Sequence, residues 1–561
     1  MMKKTGLNRK SILILALLLM LQVIAAFCFC GQKTGYHYDE LYSYYSSNVT
    51  NGIGPWDQTW TSGDEIFQEF AVLPGEGFSF ARVAQMQSYD VHPPVYYFFL
   101  HAICSLMPGV FSKWAGLLLN VFFFVGSWCL LGWLAWHLGG RRYQVVLATL
   151  LLYGCSPAVL SGIMLVRMYT MLGFWILLTA CLHVRALEKE KTGWKFCLPL
   201  AGVVIAGFLT HYYYAVYLFF LAATMEGYLL FVQPGHKNTV SRLKDCFIYG
   251  FSVIGAMLLS VLLYPASASH IFRGYRGTEA MGAFFDLGNT GYRIRFFAQL
   301  LNEYAFGSML PVLALVLILA AMTYAALFRF QKRKDTALKF TEWAYRQRTR
   351  LVTALAAAGY FAVVTKTALL TAEEANRYQI PVYGMLIMLA VILLFVLPEK
   401  IAVQLAGMKK DEKASPSKWG MLPAVLLVLL IAGGQVAGLC SGKVLFLYPD
   451  DKDAVAFAQE NADTTVVYFY NENNKWMPWD DALELMQYDN LYFVSLADAE
   501  TMAQKDFSDA RIAQADRILV YSMRHDDSQK ALELLLDACG SVKQCEKIRE
   551  LLYCDLYELT P

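Results

Sequence analysis

Apolar positions in this chain come in long blocks separated by short polar gaps. Eleven runs approach or reach the length of about 20 residues that a helix needs to cross a bilayer: 11–30, 114–136, 144–163, 168–187, 196–211, 213–232, 246–264, 308–328, 351–371, 378–397 and 419–440. In hydrocarbon every backbone polar group must be satisfied internally, so each run is predicted to be a transmembrane helix. Basic residues precede the first (Lys3, Lys4, Arg9, Lys10) and no small-x-small cleavage pattern follows it, which predicts an uncleaved anchor.

Two stretches break this pattern. Residues 31–113 are too long for a simple connector and are expected to carry structure of their own. Segments 64–73 and 79–89 there have the mixed spacing of short surface helices, and 94–107 is a short apolar run. After residue 440 the apolar runs shorten. Thr464–Tyr470, Asn490–Ser495 and Arg517–Ser522 are rich in β-branched and aromatic residues and predict buried strands, with 554–559 as a last strand. Ala482–Gln487 and Ser528–Ala538 predict helices between them. Strands alternating with helices imply a small α/β domain with a mainly parallel sheet. The expected organisation is therefore a transmembrane module over 1–440, with the outer loop 31–113 carrying the active site, followed by a separate domain over 441–561.

Composition agrees with a polytopic membrane protein: 57% of residues are hydrophobic, 16% are charged, and the mean hydropathy is +0.40. The net charge of +2 says nothing about a nucleic-acid partner, and no Lys/Arg-rich tract suggests one, so none is expected. With the N-terminus inside, the expected cytoplasmic segments hold roughly 26 basic residues against roughly 9 in the outer loops, a strong positive-inside bias. Eleven spans then put residues 441–561 outside the membrane. Of the twelve cysteines, Cys539, Cys545 and Cys554 fall in that tail, where a disulfide among them and free thiols are both open.

Topology gathers the unusual polar residues on the outer face. Asp39 and Glu40 begin the first outer loop, and Asp90 and His92 end it. Arg167 and Tyr169 mark the next outer turn, His211 and Tyr212 the one after. Lys366, Arg377 and Tyr378 surround a late one. Ionisable residues at helix ends are candidates for function. Each also has an ordinary explanation: solvated loop acids, a helix cap at Asp90, an aromatic belt around His211, and arginines snorkelling to headgroups. The loop 265–307 adds Arg273, Arg276, Arg293 and Arg295 on the side that basic residues normally avoid; they fit either phosphate binding or a long charge-tolerant loop.

Four segments together carry a resemblance: Asp39-Glu40 opening the first outer loop, Asp90-Val91-His92-Pro93-Pro94-Val95-Tyr96-Tyr97 before the second span, Arg167-Met168-Tyr169, and Asn376-Arg377-Tyr378. Over roughly residues 10–400 the chain resembles the bacterial family 39 glycosyltransferases, relatives of protein O-mannosyltransferases and the lipid A aminoarabinose transferase with the GT-C membrane fold. The resemblance implies a polyprenyl-phosphate-linked sugar as donor and a lipid, glycan or protein hydroxyl as acceptor. It makes Asp39 the general base with Glu40 beside it, Asp90 and His92 pocket residues, and Arg167 and Arg377 cations at the leaving phosphate. A good leaving group leaves the enzyme needing positioning, one base and cations. One base acting by direct displacement inverts the anomeric centre, whereas retention would need a second carboxylate pair. No cofactor is implied. The donors on Asp39, Glu40, Asp90 and His92 also suit a divalent metal, and the sequence leaves that open. The alternative is a transporter or lipid-linked-sugar flippase, which would place ionisable or broken-helix sites near mid-membrane.

Overall fold

The computed structural model describes residues 8–49, 57–233, 239–331, 340–408, 421–497, 507, 509–539 and 544–561. It divides into two compact units. The first comprises 1–30, 87–96 and 117–445; the second comprises 31–86, 97–116 and 446–561.

The first unit is a helical bundle of a multi-pass membrane protein. Among the described residues eight helices are long and apolar enough to cross a bilayer, or nine if one bent pair is a single span. All eleven expected segments fall on helices, but the count of eleven spans is not reached. The segment expected at 144–163 is two helices, Tyr143–Gly154 and Pro157–Met164, bent by 52°. The segment at 196–211 is the 15-residue helix Trp194–Phe208. The one at 351–371 is the helix Arg348–Thr367, which does not pass the same test of length and apolarity.

The bend has an identifiable cause. Pro157 has no N–H, and a proline at this point releases carbonyls of the preceding turn. The Tyr153 carbonyl, which the Pro157 nitrogen cannot serve, accepts from the Ser156 N–H at 3.3 Å, and side-chain amides from other helices reach carbonyls of the same last turns. Gln22 donates to the Leu150 carbonyl at 3.0 Å, and Gln435 donates to that of Leu152 at 2.9 Å. Gln22 also accepts from the Trp128 indole at 2.9 Å. Gly154 makes room for this, since a Cβ there would stand 2.1 Å from the Gln22 side chain.

The second unit is built on a six-stranded sheet: β1 (Trp60–Thr61), β2 (Thr465–Tyr470), β3 (Asn490–Ser495), β4 (Ile518–Met523), β5 (Gln544–Glu550) and β6 (Cys554–Thr560), in the order β1-β3-β2-β4-β6-β5. The central three strands are parallel, as their continuous buried apolar runs require. β1, β5 and β6 pair antiparallel, so the sheet is mixed rather than mainly parallel. The boundary expected at residue 440 is also displaced. Residues 31–86 and 97–116 of the first long loop pack with the C-terminal region: β1 pairs with β3, and Tyr45 and Phe70 meet Trp479. Gly35 lies so close to Asp451 that a Cβ would fall 1.8 Å from its carboxylate.

A polar cluster is enclosed in this unit. Tyr468 and Cys554 donate to Asp481 at 2.7 and 3.2 Å, and Tyr521 and Arg549 donate to Glu484. Burial, then the Glu484 charge, pushes the Asp481 carboxyl up to about 7. All three tail cysteines are free thiols, with Cys554 in this cluster and Cys539 directed to the Ile512 carbonyl.

Candidate active site

Within the first unit, segments far apart in sequence meet around His92. Asp90 lies in the turn after the helix Phe80–Ser88, its N–H bonded to the Gln87 carbonyl at 3.1 Å. His92 Nδ1 is 2.8 Å from the Asp90 carboxylate. That contact assigns the proton to Nδ1, leaving the Nε2 lone pair toward Arg167, whose Nη2 is 3.3 Å away. The 3.4 Å approach of the same nitrogen to Nδ1 would set two donors face to face and is not a hydrogen bond. Burial alone would raise the Asp90 carboxyl, but the His92 imidazole and the Arg167 guanidinium more than offset this and hold it below the ordinary carboxylate value.

Arg167 is buried in the turn between the helices Pro157–Met164 and Tyr169–Lys189. Buried Asn120 fixes that turn by donating to the carbonyls of Ile163 at 3.1 Å and Leu165 at 2.6 Å. Thr170 closes it from the other side, donating to the Gly162 carbonyl at 2.7 Å. The guanidinium is thus held by side chains that satisfy the end of one helix and the start of the next.

His211 occupies the turn before the helix Tyr213–Gly227. Its Nδ1 accepts the Tyr213 N–H at 3.0 Å, so the ring is neutral with its proton on Nε2. The ring centre is 6.1 Å from His92 and 5.5 Å from Tyr169. Tyr169 in turn meets Tyr378 edge-on at 5.6 Å. Arg377 is 2% exposed and lies over the Tyr378 ring at 5.2 Å. The structure therefore brings Asp90, His92, Arg167, Tyr169, His211, Arg377 and Tyr378 into one connected set. Tyr212 turns elsewhere, donating to His270 Nδ1 at 2.9 Å. Lys366 and Arg293 are taken up in fastening the segment around 286–293, as detailed below.

Asp39 and Glu40 belong to the second unit, in the first turn of the helix Tyr38–Asn48. They differ sharply. Glu40 is fully buried, accepts from the Lys33 ammonium at 2.8 Å and turns back to accept the His37 N–H at 2.7 Å. Lys33 also donates to the Phe446 carbonyl at 2.6 Å. Asp39 retains 21% side-chain exposure. Its own N–H donates to His37 Nδ1 at 3.0 Å, which leaves that nitrogen no proton for the Asp39 carboxylate 3.6 Å away; the two are not an ion pair. Glu40, expected beside the base as a catalytic partner, caps its helix and pairs with a buried lysine. Lys33, His37 and Asn120 were not legible as site-building residues. The one signal was His37-x-x-Glu40, a capping-box spacing with imidazole where Ser or Thr is usual.

Among the described residues no group of three or more His, Cys, Asp or Glu side chains is arranged to hold a metal ion. Asp90 and His92 are engaged with each other.

No family model matches the chain, and no curated protein matches it. Among solved structures it is similar to apo ArnT from Cupriavidus metallidurans, with a TM-score of 0.47 and 11% identity, covering 92% of this chain and 96% of that one. It is also similar to the apo Archaeoglobus fulgidus oligosaccharyltransferase, with a TM-score of 0.43 and 10% identity, covering 94% of this chain and 69% of that one. A third similar chain is the archaeal oligosaccharyltransferase AglB from Archaeoglobus fulgidus, in complex with an inhibitory peptide and a dolichol-phosphate (TM-score 0.43, 11% identity, 93% and 71% covered).

Proposed function

We propose that this protein is an integral-membrane glycosyltransferase of the GT-C type that moves a sugar from a polyprenyl-phosphate donor to a hydroxyl acceptor on the outer face of the membrane. The observation that carries this reading is the meeting of three motif segments: Asp90 and His92 at Arg167, and Tyr169 at Tyr378 beside Arg377. Two buried guanidiniums among tyrosines suit the oxygens of a phosphate, which arginine binds through paired charge-assisted bonds.

In the proposed step the acceptor oxygen bonds to the anomeric carbon while the bond from that carbon to the phosphate oxygen breaks. The polyprenyl phosphate leaves with the electron pair, toward Arg167 and Arg377. The family resemblance, rather than any contact of the first unit, supplies Asp39 as the group that takes the acceptor proton, and direct displacement inverts the anomeric centre. Asp90 holds the His92 tautomer that turns its lone pair toward Arg167, so this pair positions the guanidinium. Asp39→Asn keeps the shape and removes the base. Purified in nanodiscs with a polyprenyl-phosphate sugar, that variant is expected to lose at least about 100-fold in rate, the lower range for a general base. Turnover at the wild-type rate would remove Asp39 from the chemistry.

A second reading, transport, draws on one observation. Within the span Tyr169–Lys189, buried His183 bonds to Tyr249 at 2.9 Å and to the Thr179 carbonyl at 2.8 Å, and Thr179 pairs with Tyr214 at 2.6 Å. Ionisable residues inside a membrane often mark a pathway. Transport predicts movement of the lipid-linked sugar across proteoliposomes with its glycosyl phosphate bond intact. The transferase reading predicts cleavage of that bond.

A further inference from the structure

We propose that residues 266–300 form an interfacial apron, seated by its apolar side in the boundary between phospholipid headgroups and acyl chains. This stands apart from the transferase reading.

The segment lies between two membrane-length helices, Thr239–Leu263 and Leu310–Leu327, so it leaves and re-enters the bilayer at one face. Its own helices, Ala266–Phe272, Tyr275–Phe285 and Thr290–Leu300, have 7, 11 and 11 residues. At 1.5 Å per residue the longer two reach about 16 Å, roughly half of the hydrocarbon thickness. None of the three crosses.

Its polarity is inverted relative to a loop bathed in water. The inward side is polar. The Lys366 ammonium donates to the Asp286 carbonyl, to Asn289 Oδ1 at 3.1 Å and to Thr290 Oγ1 at 2.8 Å. Arg293 is buried and donates to the Ala368 carbonyl at 2.7 Å. His270, also buried, bridges the Tyr212 hydroxyl and the Ser88 carbonyl. The outward side is apolar: Leu287 is 81% exposed and Phe285 71%, with Met281, Phe284, Tyr292 and Ile294 exposed alongside. A patch of this kind marks a contact surface.

Charge selects the occupant. On the helix Tyr275–Phe285, spacing puts Met281, Phe284 and Phe285 on one side and the Arg276–Glu279 ion pair, at 3.0 Å, on another. Arg273 and Arg295 are exposed at either end of the patch. Aromatic and aliphatic side chains rimmed by arginines match a phospholipid surface, with guanidiniums on headgroup phosphates and rings below them.

The test places the photo-crosslinking amino acid p-benzoylphenylalanine at position 285, 287 or 279 of the full-length protein in nanodiscs of phosphatidylcholine and phosphatidylglycerol. After irradiation, peptides carrying positions 285 and 287 are expected to gain the mass of a whole phospholipid, several-fold more often than peptides carrying position 279. Crosslinks from 285 and 287 to a second copy of the chain would overturn the proposal in favour of a dimer contact. Equal lipid adducts at all three positions would overturn it as well. Arg273→Gln with Arg295→Gln should reduce the excess of phosphatidylglycerol over phosphatidylcholine adducts at 285. An unchanged excess would sink the role given to the arginines.

Discussion

Replacing Glu40 by glutamine removes a charge and almost no volume, so it isolates what the Lys33–Glu40 pair contributes. Both side chains have 0% exposure, and the ammonium and carboxylate stand 2.8 Å apart. Breaking a buried pair from one side costs about 3–5 kcal/mol, because the surviving ion keeps its desolvation penalty without its counter-charge. In this case the amide oxygen of glutamine still accepts a hydrogen bond, and Lys33 keeps the Phe446 carbonyl at 2.6 Å. That places the expected loss at the lower end, about 3 kcal/mol. For a unit of this size the melting temperature should fall by about 6–12 °C.

The assay is thermal unfolding of the full-length protein in nanodiscs, followed by proteolysis of the region 446–561. Lys33→Met strands the opposite charge and should cost a similar amount. The two losses should not add, since the double variant leaves no lone ion in the core. Well below its melting temperature Glu40→Gln should keep most of the transfer rate, unlike Asp39→Asn. A melting temperature within about 2 °C of wild type, or losses that simply sum, would refute the structural role of Glu40.

Arg167→Lys and Arg377→Lys keep charge but lose the planar fork, and each should raise the donor concentration needed for half-maximal rate by roughly 10-fold or more, the equivalent of one lost charge-assisted hydrogen bond; donor titrations at saturating acceptor indistinguishable from wild type would return them to a snorkelling role. The Asp481 carboxyl, raised from 3.8 to about 7, holds a proton in the folded unit that the unfolded chain releases, so stability of the second unit should fall as pH rises from about 4 to 7 and flatten above. Asp481→Asn should flatten most of that slope in melting curves across pH, and a slope left intact would show that this carboxyl does not titrate there. A reporter active only in the cytoplasm, fused after Pro561, should be silent; a bright signal would reverse the orientation inferred from basic residues.

The eight membrane-length helices among the described residues were legible because such a helix announces itself locally: hydrocarbon demands apolar side chains over its whole length. The central strands were legible for a related reason, since Val466 to Phe469 and Leu519 to Tyr521 are buried on both faces and form unbroken apolar runs. What escaped depends on partners far away in sequence. β5, Gln-Cys-Glu-Lys-Ile-Arg-Glu, is an exposed edge strand whose charges discourage further pairing, so it shows neither an apolar run nor alternation. β1 has two residues and exists only because Trp60 and Thr61 meet Tyr492 and Leu491. The membership of the first loop in the second unit rests on such pairings, and no local periodicity encodes them.

The Asp39-Glu40 pair shows how the candidate site was half legible. Two adjacent acids in an aromatic stretch look equivalent in sequence, and neither composition nor topology separates them. The helix start does. Once His37 takes the N-cap position, Glu40 stands three residues on, where a carboxylate reaches back to the cap N–H and is committed to it. Successive residues in a helix point about 100° apart, so the turn that buries Glu40 against Lys33 directs Asp39 away from that pair. The Glu40 carboxylate accepts from two donors, the His37 N–H at 2.7 Å and the Lys33 ammonium at 2.8 Å, so its oxygens are engaged in the cap and the ion pair. The choice of Asp39 as base therefore rests less on its own contacts than on what the capping geometry has already taken from its neighbour.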